Sequence, residues 1–202
     1  FVLFDGMDDV SNRINHFQLK TMKFGAGFGL RYMVLLDAKF NVMVDFGIGT
    51  LYPFLGKSEE DKRIMINSVG PLWDGNEVWL VIGGGALFAG FPEAYATLFS
   101  AMYVPFILFL GFLIFRAVSI EFRGKEPMRW WRKTWDISYS VSSAALALLL
   151  GVVLGNVLIG IPMDEQFVFT GHWLDFLNPY ALSVGLTTLA LFMVHGAIYL
   201  TM

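Results

Sequence analysis

The chain has 202 residues, of which 56% are hydrophobic and only 15% charged, and its mean hydropathy is +0.60. A net charge of −3 offers no basic footprint for nucleic acid, and the absence of cysteine excludes disulfides, thiolate metal sites and thiol catalysis. A soluble domain of this size could not hide apolar runs of membrane-spanning length, so the composition specifies a membrane protein.

Residues 1–44 stand apart. They hold Asp5, Asp8 and Asp9, then Lys20 and Lys23, and their only moderately apolar part carries Arg31, Asp37 and Lys39. Three such charges would cost roughly 8–10 kcal/mol at mid-bilayer, so this is an atypical amino-terminal segment, expected to be shifted, mis-assigned or fused from elsewhere. From Asp45 onward DFGIGTLYPFLG reads as the end of a membrane helix and its exit turn, and 45–202 is expected to form the membrane helix bundle.

Four segments are apolar enough to cross a bilayer core that takes about 20 helical residues. The first runs from Val78 to Phe91, extended backwards through WDGNEVW; the others are Tyr95 to Phe115, Ile137 to Ile161 and Tyr180 to Met202. Pro92 and Glu93 read as a tight turn that makes the first two a hairpin. Gly83, Gly84, Gly85 and Ala86, with Gly151, Gly155 and Gly160, are expected to let neighbouring backbones approach. The triple glycine has no following Lys-Ser or Lys-Thr pair and is no phosphate loop.

The loop from Arg116 to Lys133 carries Arg116, Arg123, Lys125, Arg129, Arg132 and Lys133, whereas the next loop has Asp164, Glu165 and Asp175 without Lys or Arg. By the positive-inside rule the first is cytoplasmic and the second external. Trp130, Trp131 and Trp135 form an interfacial anchor, and QFVFTGHWLDFLNP, ending in the helix-start pair Asn178-Pro179, lies along the external interface. Counting back places Lys57, Lys62 and Arg63 on the cytoplasmic side.

The stretch PLWDGNEVWL, residues 71–80, therefore takes Asp74 and Glu77 into the membrane from the cytoplasm. A carboxylate there costs roughly 2.5–3.5 kcal/mol on insertion scales, so these two are the candidate proton-handling pair. Asp74 lies about 15 Å along a helix from Ile64, and Glu77, three residues on, can share its face and a proton. A structural hydrogen bond or helix cap is the alternative for Asp74, and pairing with Arg116 would lock it. Asn76 is read as a hydrogen-bonding neighbour. Trp73 and Trp79 are read as packing or interface residues on which a quinone headgroup could also stack. Haem iron needs His, Met, Cys or Tyr ligands. His16 and His172 lie outside the spans, and His195 is expected to hydrogen-bond across helices; no metal site is expected.

The ordered blocks DFGIGTLYPFLG, EEDKRIMINSVGPLWDGNEVWLVIGGGALFAGFPEAYATLFSAMY, FRAVSIEFR and LNPYALSVGLTTLALFMVHGAIYL closely resemble subunit II of the bacterial cytochrome bd quinol oxidases, continuously from Asp45 to Met202. The resemblance implies an all-α polytopic transmembrane bundle, the first four-helix repeat of that fold plus one further helix, in the bacterial plasma membrane. It implies a non-haem subunit of a terminal oxidase that oxidises quinol and reduces oxygen to water. The haem-bearing subunit I would carry haems b and d, with a small accessory subunit, lipid and quinol as further partners. No directly bound cofactor is expected here beyond a quinone. The family's intramembrane aspartate maps onto Asp74 and its arginine at the end of the third helix onto Arg116.

Two features depart from the family: Val42 and Met43 stand where an acidic residue and a glycine are usual, and two four-helix repeats are usual where this chain stops at Met202. The chain is thus expected to be a fragment, or to form a complex lacking half its lipid-facing surface. Two rival functions stay open: a proton-coupled transporter or channel subunit, and an assembly scaffold without a proton role.

Overall fold

The computed structural model describes residues 41–164 and 169–201. Expectations for residues 1–40, His16 among them, and for 165–168 lie outside the described residues. The chain is helical: α1 (residues 41–55), α2 (Glu59–Val69), α3 (Trp73–Gly90), α4 (Pro92–Ala101), α5 (Tyr103–Phe122), α6 (Arg129–Ile159), a 3-10 turn (Trp173–Leu177) and α7 (Pro179–Leu200).

The helix α1 is the hub of the bundle. Residues 44–50 are buried on every side, which a helix interior to a bundle must be. Val44, Ile48 and Tyr52 pack with Met65 and Val69 of α2 and Tyr139 of α6. Val42 and Phe46, on another face, pack with Leu146 and Ala147 of α6, Phe192 of α7, and a rim of Leu80, Phe109, Phe112 and Leu113. Around this hub the usual distribution is inverted: Arg116, Asp45, Asn76 and Ser143 are buried, whereas Val81, Phe88, Ile114 and Leu158 are exposed. That is the surface a lipid solvent favours. Three described helices, α5, α6 and α7, are long and apolar enough to cross a membrane.

The sequence reading needs four corrections here. The expected first span, realised as α3, does not reach the same hydropathy, because Asp74, Asn76 and Glu77 occupy its opening turns. The expected second span, Tyr95 to Phe115, is two helices broken at Met102, whose ψ is 30°. Pro105 explains the break: it has no amide proton to give to the carbonyl of Ala101, and its ring crowds that carbonyl. Arg116 is no loop residue, since α5 continues through Phe122; the positive charge of the loop rests on Arg123, Lys125, Arg129, Arg132 and Lys133.

Finally, a Cβ added at Gly83, Gly84 or Gly85 would meet nothing within 4 Å, so these glycines pack against no described backbone. Close approach occurs elsewhere. A Cβ at Gly151 would lie 2.7 Å from the Gly185 Cα, one at Gly155 would lie 2.8 Å from the Ala181 Cα, and one at Gly47 would lie 1.9 Å from the Phe192 carbonyl oxygen. These contacts seat α7 against α6 and α1. Gly160, expected to pack, instead ends α6 with φ at +97°, a conformation that favours glycine.

Local signals fix several ends. Ser58 and Asp61 form a reciprocal capping box on α2, and the Ser58 backbone amide holds the Asp61 carboxyl below its usual range. Asn178 caps α7 by accepting from the Ala181 amide at 2.8 Å, and its Nδ2 donates to Asn156 Oδ1 at 2.8 Å. Trp131 Nε1 donates to the Phe122 carbonyl at 2.8 Å, tying the tryptophan anchor to the end of α5.

Candidate functional site: a buried ion cluster

Three helices deliver charge to one place. Asp45 comes from α1, Glu77 from the second turn of α3, and Arg116 from α5, which returns beside α3 after the chain reverses. The Arg116 side chain is fully buried and that of Asp45 is 1% exposed. Arg116 Nη2 donates to Asp45 Oδ1 in a short ion pair, and Nη1 donates to Glu77 Oε1 at 3.3 Å. Asn76 Nδ2 donates to Asp45 Oδ2 at 3.0 Å and reaches the Asn41 carbonyl at 3.4 Å. The guanidinium lies over the Phe46 ring at 4.9 Å and the Tyr139 ring at 5.7 Å.

A buried charge persists only when paired and hydrogen-bonded, and here the arginine has two carboxylates. With both ionised the cluster holds one anion more than it has cations, and a single added proton makes it neutral. Glu77, 24% exposed, connects the buried Asp45–Arg116 pair with the outside.

Of the expected site residues, the structure brings together Glu77, Asn76 and Arg116. Asp74 sits apart. It is exposed in the first turn of α3, where its Oδ1 accepts from the Gly75 amide at 2.7 Å and its charge complements the helix dipole. The pairing with Arg116 that was the alternative for Asp74 is made by Glu77 and Asp45. Trp73 and Trp79 are half-buried. His195 Nδ1 lies 2.8 Å from the Leu191 carbonyl of its own helix. Among the described residues no group of three His, Cys, Asp or Glu is arranged to hold a metal.

Sequence reasoning missed Asp45 as a site residue. The available signal was its isolation in an apolar run, VMVDFGIG, together with the need of any intramembrane arginine for a counter-charge.

A second network joins α1, α2 and the end of α5 to α6. Asp136 of α6 accepts from Tyr52 Oη at 2.7 Å, Lys62 Nζ at 2.8 Å and Arg123 Nε at 2.5 Å. Glu59 pairs with Arg123 at 3.0 Å and Arg132 at 3.4 Å. This ties α2 to α6. Asp136→Asn is expected to cost about 2 kcal/mol locally, and limited trypsinolysis after Lys62 and Arg63 checks it: cleavage should speed by roughly thirtyfold if local opening exposes them.

Comparison with known proteins now decides the family. The model for cytochrome bd terminal oxidase subunit II matches residues 30–202. The chain belongs to that family. It is 43% identical over 162 residues to cytochrome bd-I ubiquinol oxidase subunit 2 of Escherichia coli (strain K12), covering 78% of this chain and 43% of that protein. It is 40% identical over 158 residues to cytochrome bd ubiquinol oxidase subunit 2 of Bacillus subtilis (strain 168), covering 78% of this chain and 47% of that protein. The chain thus spans less than half the length of the curated relatives it matches. The described residues form a helical bundle whose apolar spans are those of a membrane protein.

Proposed function

We propose that this chain serves as the non-haem subunit of a bd-type oxidase, in which quinol is oxidised and oxygen reduced to water on a haem-bearing partner in the bacterial plasma membrane. Family membership supports the assignment. We further infer that the chain supplies a cytoplasmic proton path. Oxygen reduction to water consumes one proton per electron, so a partner holding the oxygen site needs a route that carries protons into low-dielectric surroundings. The observation that carries this reading is the buried Asp45–Arg116–Glu77 cluster with its one excess carboxylate. Asp74 would be the mouth, exposed one turn before Glu77, and Glu77 the group that passes protons inward.

The test uses the purified complex. Its reduced-minus-oxidised spectrum should show haem, and quinol-driven oxygen uptake should fall about a hundredfold in Asp74→Asn, the lower end for loss of a proton-transfer group. Absence of haem would sink the oxidase assignment. Unchanged uptake would leave Asp74 as a helix-dipole partner and favour the scaffold reading.

A further inference from the structure

Beside the ion cluster lie polar atoms that neither the fold nor the proposed path accounts for. Arg116 Nε, Tyr139 Oη and Ser143 Oγ are buried and none completes a well-aligned hydrogen bond among the described residues, although the Tyr139 hydroxyl faces the Arg116 guanidinium. A buried polar group without a partner is costly, and native interiors satisfy such groups with internal water.

The three converge. Tyr139 lies under the guanidinium, Ser143 follows one turn later on α6, and both lean on α1 at Gly49, whose added Cβ would lie 2.1 Å from Ser143 Oγ and 3.2 Å from Tyr139 Cζ. They also continue a stripe. Asp136, Tyr139, Ser140 and Ser143 are all buried and fall at the i, i+3, i+4, i+7 spacing of one helix face. The stripe covers about 10 Å of rise and then turns apolar at Leu146 and Ala147. Its outer end is the Asp136–Tyr52–Lys62 network, and the Tyr52 and Tyr139 rings touch edge-on at 5.4 Å.

We propose that Tyr139, Ser143 and Arg116 Nε bind internal water, and that this hydrated face of α6 is a second proton limb joining Asp136 to the Asp45–Arg116–Glu77 cluster. The water site stands on the orphaned atoms alone; the limb rests on the proton-path reading above. A hydroxyl or water here accepts a proton from one neighbour as it releases its own to the next. One O–H bond forms for each that breaks, the arginine stays charged, and the excess carboxylate of the cluster is the acceptor.

Two measurements on the purified complex test it. X-ray hydroxyl-radical footprinting oxidises side chains that touch bound water, so Tyr139 should be labelled although it is 2% exposed; an unlabelled Tyr139 overturns the water site. Tyr139→Phe with Ser143→Ala removes only two oxygens and should lower quinol-driven oxygen uptake about tenfold, with the haem spectrum unchanged and an enlarged solvent deuterium isotope effect. If Glu77→Gln slows uptake and the double variant does not, the α6 limb is refuted while the cluster keeps its role. If neither slows it, limb and proton path fall together.

Discussion

Arg116→Leu is expected to remove the subunit from the membrane. The substitution leaves Asp45, 1% exposed, without its cation, and stripping one partner from a buried pair costs about 3–5 kcal/mol, a large share of a domain's total stability. Immunoblotting of membranes should show loss of the chain. Removing all the charge together should restore it, because an apolar replacement for a whole buried ion group is often neutral. The triple variant Arg116→Leu, Asp45→Leu, Glu77→Met should therefore accumulate while failing in turnover. Normal levels of the single variant would show that the pair is not what stabilises the three-helix junction.

The second large effect is steric. A Cβ at Gly47 would lie 1.9 Å from the carbonyl oxygen of Phe192 and 3.1 Å from the Gly196 amide. These are backbone atoms, which cannot swing aside, so Gly47→Ala must push α7 from α1. Overpacking of this kind costs about 3 kcal/mol, and thermal denaturation of the complex should reveal it as a lower Tm. Gly84→Ala is the contrast. Nothing lies within 4 Å of its added Cβ, and alanine is the better helix former by about 1 kcal/mol, so stability should hold or rise. Equal behaviour of the two variants would contradict the observed packing.

How much of this was legible beforehand depended on how local the signal was. The Asn178 cap and the final span follow from neighbours in sequence and appear as expected. The break at Met102 was masked by an unbroken apolar run in which Pro105 was the one dissenting residue. Arg116 was assigned to a loop because positive charge usually marks one; its burial depends on Asp45 and Glu77, which are 71 and 39 residues away. Glycine spacing alone did not separate Gly151 and Gly155, which meet α7, from Gly83 to Gly85, which meet no described neighbour. Asp74 and Glu77 are three residues apart, yet α3 turns one outward and the other onto Arg116, a difference that only the packed neighbours decide.

Among the described residues, Glu77 is the one carboxylate that contacts Arg116 while remaining open to the outside. Quinol-driven oxygen uptake by the purified complex carrying Glu77→Gln, compared with wild type at equal haem content, therefore tests the proton role of the cluster most directly. A fall of about tenfold or more with the haem spectrum intact is the predicted result. Wild-type uptake from a fully assembled Glu77→Gln complex would contradict it and leave the cluster a structural device.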